Sequence, residues 1–245
     1  MEHAVARPII CSTMAEAVAD VPDGALLLVP GFGPGTPHNL MTALFEQGTK
    51  DMHFVLNSIA LPGANHDGRK TANDFLVSGR LRKVTASFTA PRHPSDSSEA
   101  ADILRSGKVE AELVPQGTLA ERVRAGAAGI PAFYTPTGVG TLIAEGKEHR
   151  EFNGRMYLME HAIFGDYAFI RAWKADTAGN LIYRMSARNF NPVFAMGAQH
   201  VIVEVEQPIV PAGELPPDQI HTPGVVVEKL VQIPPDGFLR ELPRT

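Results

Sequence analysis

Ala25-Leu26-Leu27-Leu28-Val29, followed by Pro30-Gly31-Phe32-Gly33-Pro34-Gly35-Thr36-Pro37, decides the fold. The first five residues are a short, wholly apolar run, the pattern of a strand buried on both faces of a parallel sheet. After the loop, Leu40, Met41, Leu44 and Phe45 recur at helical spacing until Gly48 stops them. Strand, glycine loop and helix therefore make one unit. Glycines at such a junction let the backbone approach a ligand closely, and the free N–H groups of the helix start favour an anion or a developing oxyanion. Gly31, Gly33 and Gly35 are so placed, with Phe32 between the first two. The spacing is neither the dinucleotide fingerprint nor the Walker loop, so a tight turn without a ligand fits equally well.

The same order repeats on either side of this unit. Upstream, Met14, Ala17, Val18 and Val21 share one helix face, and Thr13 with Glu16 has the pattern of a capping box before the turn Pro22-Asp23-Gly24. Downstream come strands near Met52 to Leu56, Lys83 to Ser87 and Ala111 to Val114, separated by helices around Thr71 to Ser78 and Glu99 to Ser106. This predicts an α/β fold with an open, mainly parallel sheet and helices on both faces. Beyond Tyr134 the strand-like runs Arg155 to Met159, Ala168 to Trp173 and Leu181 to Arg184, with a hairpin turn at Ala178-Gly179-Asn180, predict a smaller antiparallel or mixed layer. His200 to Val205 is a further strand, and the Pro-rich stretch from Pro208 to Pro217 is a surface excursion that returns to pack Val225 to Val231. With no repeat and no linker, residues 1–245 are expected to form a single domain.

Composition excludes several classes of function. The 245 residues carry 22 Lys plus Arg against 27 Asp plus Glu, a net charge of −5 without long runs of one sign. Nucleic acid and anionic membrane surfaces are therefore not the expected partners, whereas small molecules or another protein are. A single cysteine, Cys11, excludes a disulfide framework and a Cys-rich zinc site, and reads as a small buried residue rather than a nucleophile. No apolar run reaches the ~18 residues needed to cross a bilayer. Met1 to Arg7 lacks the apolar core of a signal peptide, so a cytoplasmic protein is expected.

Two further residues stand at strand ends, where open α/β sheets put their ligands. Gln116, in Leu113-Val114-Pro115-Gln116-Gly117-Thr118, can donate its amide to a carbonyl or oxyanion, and Asn57 ends the second strand in an equivalent place. Taken singly, each is more often a structural hydrogen-bonder. Convergence with the glycine loop on one sheet edge is what raises them above chance. The nine histidines show no metal-binding spacing, and Ser12, Ser58 and Ser186 lack the nucleophile elbow, so no metal is expected. Glu204 and Glu206 could be paired carboxylates for acid-base chemistry, although solvated strand-end residues are the preferred reading.

The stretch Val109 to Thr141 closely resembles the A subunit of family I CoA-transferases of the succinyl-CoA:3-oxoacid and 3-oxoadipate type. The likeness continues through Glu151-Phe152-Asn153-Gly154, Ala172-Trp173-Lys174-Ala175-Asp176 and Ser186-Ala187-Arg188-Asn189-Phe190-Asn191, covering about Asp23 to Val231. It implies the open α/β fold of that superfamily and transfer of CoA between an acyl-CoA and a short oxoacid or dicarboxylic acid. CoA would be a substrate, and no cofactor would be needed. The resemblance places the nucleophilic glutamate, which forms a glutamyl-CoA intermediate, on a B subunit in a Ser-Glu-Asn-Gly-like motif. No Glu-Asn-Gly occurs in this chain, which implies an α2β2 assembly with a partner subunit. The family's oxyanion-donating glutamine falls on Gln116, its asparagine on Asn57, and its substrate loop on Gly31, Phe32, Gly33 and Gly35.

The chain departs from the family pattern in two places. Its glycine loop begins with Pro30 where the family usually has glycine, and is one residue shorter. Phe88 stands where tyrosine is common, and a longer loop from Thr89 to Glu99 follows, carrying Arg92 and His93. These changes bear on the substrate pocket. They leave open a CoA-thioester hydrolase of the same fold, or a non-catalytic sensor of an acyl-CoA or sugar phosphate.

Overall fold

The structure is a computed structural model that describes residues 7–31, 33–60, 68–89 and 98–234. Eight strands form one sheet in the order β1 (Ile9–Cys11), β13 (Lys229–Gln232), β12 (Ala198–Val205), β9 (Gly165–Ala172), β2 (Leu26–Val29), β3 (Met52–Ser58), β4 (Leu81–Phe88) and β5 (Glu110–Leu113). Every neighbouring pair is parallel, so all eight carboxyl ends lie along one edge. The open parallel sheet expected from the sequence is thus present.

Helices cover both faces, and strand residues alternate between them. One face, carrying Leu27, Val29, Phe54, Leu56, Val84 and Phe169, packs on α1 (Met14–Val18), α2 (His38–Gln47), α3 (Ala72–Val77) and α4 (Glu99–Arg105). The other, carrying Leu28, Val55, Val114, Ala168, Ile170 and Val203, packs on α5 (Gln116–Ala127) and α6 (Asn191–Met196). Local chemistry starts the short helices. Thr13 Oγ1 accepts the Glu16 N–H at 3.1 Å, while the Glu16 carboxylate reaches back to the Ser12 N–H at 2.7 Å, one residue beyond the expected box. Thr71 with Asp74 forms a full capping box on α3, and Gly48, at φ 91°, closes α2.

The predicted second layer is present but smaller than the sequence suggests. It is a three-stranded antiparallel sheet of β6 (Ala132–Thr135), β8 (Arg155–His161) and β7 (His149–Phe152). The hairpin around Gly179 is confirmed as a two-residue antiparallel pair, β10 (Lys174–Ala175) with β11 (Leu181–Ile182). Ala168 to Trp173 does not belong to that layer. It lies in β9, in the middle of the main sheet between β12 and β2, where both of its faces are buried. Strand β1, only three residues long, escaped the sequence pattern. Among the described residues no helix is long and apolar enough to cross a membrane.

Candidate functional site

The carboxyl ends of β2, β3, β4 and β5 stand side by side, and the residues singled out from the sequence lie along them. Gly31 follows β2 and packs against the end of β3: Ser58 Oγ donates to the Gly31 carbonyl at 3.0 Å, and a Cβ on Gly31 would lie 3.8 Å from the Asn57 nitrogen. Phe88 closes β4 with its ring 51% exposed, while its carbonyl accepts the Ile59 N–H at 2.9 Å. Gln116 is the first residue of α5, half-buried, after Val114 has bonded the Ala86 carbonyl at 2.9 Å. Phe32, and the loop residues Arg92 and His93, lie outside the described residues.

Asn57 is only 3% exposed, and its Oδ1 is buried with no hydrogen-bond partner among the described residues. An unsatisfied buried acceptor costs about 1–3 kcal/mol, so such an atom in a native fold calls for a donor. On the adjacent strand the Ser87 Oγ is likewise buried and unpartnered. Asn57 and Ser87 therefore offer two unused polar atoms beside each other, on the face of the sheet that α5 covers.

The helix start beside the glycine loop differs from expectation. Its amides are not open to an external anion, because Glu204 from β12 fills the position: Glu204 Oε2 accepts the N–H groups of Asn39 at 3.0 Å and Leu40 at 2.9 Å, and Oε1 accepts Asn39 Nδ2 at 3.2 Å. Glu204 is fully buried, so it is neither a solvated strand end nor free for acid-base work. Arg171, its register partner on β9, lies 3.7 Å from it and donates Nε to Glu206 at 2.9 Å. Burial pushes the Glu204 carboxyl up to about 7, against the opposing pull of Arg171 and the bonded amides.

A polar network unmarked in the sequence reading runs under α5. His53 Nε2 meets Thr85 Oγ1 at 2.9 Å, Thr85 donates to Glu112 at 3.0 Å, and Glu112 pairs with Arg122 of α5. Arg122 Nε then donates to the His161 carbonyl at 2.7 Å. His53, Thr85 and Glu112 are polar residues at inward strand positions, a period-two signal that could have revealed them. The network ties the helix that begins at Gln116 to three strands of the main sheet and, through His161, to β8 of the small one. Among the described residues no three His, Cys, Asp or Glu side chains cluster to hold a metal ion. Cys11 is buried, and desolvation raises its thiol pKa, which suits a packing role.

Residues 11–232 match the sequence profile of the coenzyme A transferase family. The chain is 48% identical to the A subunit of the probable succinyl-CoA:3-ketoacid coenzyme A transferase of Bacillus subtilis, over 91% of this chain and 89% of that protein. It is 44% identical to the A subunit of the 3-oxoadipate CoA-transferase of Pseudomonas putida, over 90% of this chain and 92% of that one. In fold it is similar to an acyl-CoA transferase from E. coli O157:H7 solved as a thioester complex with CoA, at a TM-score of 0.77 and 24% identity, over 92% of this chain and 47% of that one.

Proposed function

The chain belongs to the coenzyme A transferase family, and from that premise we propose that it is the A subunit of a two-subunit enzyme moving CoA between an acyl-CoA and a short 3-oxoacid or dicarboxylic acid. The observation that carries this reading is the alignment of the glycine loop, Asn57 and Gln116 on one carboxyl edge, in a chain 44–48% identical to relatives bearing those names. The B subunit would supply a glutamate. Its carboxylate adds to the acyl-CoA carbonyl and expels CoA thiolate, leaving an acid anhydride; the thiolate then attacks the glutamyl carbonyl and releases the first acid as its carboxylate. The resulting glutamyl-CoA passes CoA to the second acid by the same two steps reversed. Covalent catalysis thus divides one difficult transfer into easier ones.

This chain's part is to hold the reacting carbonyl. Gln116 would donate its amide to the oxygen on which negative charge develops, alongside backbone N–H groups of the loop. Asn57, Phe88 and the loop glycines would line the acyl and pantetheine path. No metal or redox cofactor enters these steps, and CoA is a substrate.

The test is reconstitution with the co-encoded partner, followed by transfer from succinyl-CoA to acetoacetate and to 3-oxoadipate. Ping-pong kinetics are expected, and Gln116→Ala should lower kcat by roughly 100- to 1000-fold, the usual effect of removing one oxyanion donor. Release of free CoA without an acceptor acid would replace transfer with hydrolysis. A variant within about threefold of the parent would make Gln116 merely structural, since that is well under 1.4 kcal/mol.

A further inference from the structure

The glycine loop is held from the far end of the chain. Asn191 is fully buried: its Oδ1 accepts the Arg171 N–H at 3.0 Å, and its Nδ2 donates to the carbonyls of Gly35 at 3.1 Å and Ala187 at 2.9 Å. Asn189 Nδ2 donates to the Pro34 carbonyl at 2.8 Å and to the Ser186 carbonyl at 3.0 Å. Glu204 grips the first turn of the helix into which the loop runs. Arg171 links these contacts, bonding Asn191 through its backbone and facing Glu204 and Glu206 through its side chain. The Ser186 to Asn191 segment carried part of the family likeness but had no chemical role.

We propose that Asn189, Asn191 and Glu204 form a latch that fixes the glycine loop for the transfer reaction and leaves the N–H groups of Gly33 and Gly35 as its substrate-facing donors. The fit on the latched side is tight. A Cβ on Gly35, at φ 80°, would stand 2.5 Å from the Ala187 carbonyl oxygen and 2.9 Å from Asn191 Nδ2. On the other side a Cβ on Gly33, at φ 96°, would meet nothing within 4 Å. The loop is thus anchored on one flank and open on the other. Its amides divide the same way: those of Asn39 and Leu40 go to Glu204, Thr36 N–H goes to Gly33 and His38 N–H to Thr36, whereas those of Gly33 and Gly35 bond nothing among the described residues. Glu204 therefore closes the helix end to a substrate anion and shifts recognition onto the loop. Asn189, Asn191 and Glu204 are positioning residues, acting through the loop's backbone. Next to them Met185 holds a left-handed φ of 49° with its side chain 83% exposed, a costly conformation that persists where surrounding contacts impose it.

This role rests on the transferase reading, so the test reads loop order and turnover separately. Asn189→Ala and Glu204→Gln are made in the full chain, amide exchange at Thr36 and His38, the hydrogen-bonded N–H groups of residues 33–38, is measured on the chain alone, and kcat and KM for succinyl-CoA are measured with the partner subunit. Asn189→Ala should speed exchange in this segment at least tenfold and lower kcat at least tenfold, with KM within threefold and the melting temperature nearly unchanged. Glu204→Gln should move both readings in the same direction. Unchanged exchange in Asn189→Ala overturns the latch, and faster exchange with kcat within twofold of the parent overturns its role in positioning. Should Glu204→Gln fail to fold, Asn189→Ala, on a half-exposed turn, decides by itself. If the parent complex transfers no CoA, the transferase reading fails, and faster exchange in Asn189→Ala still upholds the latch as the anchor of the loop.

Discussion

At the scale of single residues, Asn57 separates stability from function. Its Oδ1 is buried without a partner, so an apolar side chain of similar size removes a desolvation cost and no hydrogen bond among the described residues. Asn57→Leu is therefore expected to melt at the parent's temperature or above it, while transfer by the complete enzyme falls at least tenfold; a loss of both together would make Asn57 a packing residue. Two groups, one half-buried and one fully buried, also respond to acid in opposite directions. The single Thr85 hydroxyl hydrogen goes to Glu112, so His53 donates Nε2–H to Thr85, and burial beside Lys83 and Arg82 lowers its ring to about 4. Between that value and the ordinary 6.5 the unfolded chain binds the proton and the folded chain does not, so this stability is lost as pH falls through the window. Glu204, raised from 4.5 to about 7, is protonated first in the folded chain and adds stability as pH falls through its own window. Compared between about pH 7.5 and about pH 5, the melting temperature of His53→Gln should drop less than the parent's, and that of Glu204→Gln should drop more.

At the scale of elements, α5 is the piece that carries Gln116 into place, and its packing is unusually close. A Cβ on Gly126 would stand 2.1 Å from the Ile163 carbonyl oxygen, while the Arg122 carbonyl accepts the Ile163 N–H at 2.9 Å. Because the obstacle is backbone, Gly126→Ala must push the helix outward, a change of the kind that costs about 1–3 kcal/mol. The expected fall in melting temperature is about 2–12 °C, and an unchanged value would show that the helix moves freely. Elements of this kind were legible because their periodicity is local: the apolar run Leu26–Val29, the repeated faces of α2 and the cap at Thr13 each state their own structure. Position within the sheet was not. A run such as Ala168 to Ala172 looks the same in a central parallel strand as in an antiparallel layer, and only pairing with β2 and β12 decides. Glu204 was misread for the same reason, since the amides that bury it come from residues 164 and 165 positions away. The strand-end placement of Gln116 and Asn57 was legible because a local strand-to-helix boundary marks it, and strand ends at a parallel edge are where such folds put ligands.

At the scale of the whole molecule, the described residues of one carboxyl edge offer hydrogen-bond donors and acceptors, while the described carboxylates near it are not free. Gln116, Asn57 and the loop amides are donors and acceptors, whereas among the described residues Glu204 is engaged by Asn39, Leu40 and Arg171, Glu206 by Arg171, and Glu112 by Thr85 and Arg122. Freeing Glu204 as a nucleophile would strip three N–H bonds from α2 and leave Arg171 without one of its two acidic neighbours, so the fold opposes it. Apolar surface on the same edge points the same way. Phe88 and Leu113, closing β4 and β5, are 51% and 49% exposed, beside the start of α5. The purified chain is therefore expected to fold and to show no CoA transfer from any acyl-CoA donor. Adding the B subunit should restore turnover and slow amide exchange around Phe88 and Leu113. Turnover by the chain alone, abolished by Glu204→Gln or Glu206→Gln in a folded protein, would move the nucleophile into this chain and remove the need for a second subunit.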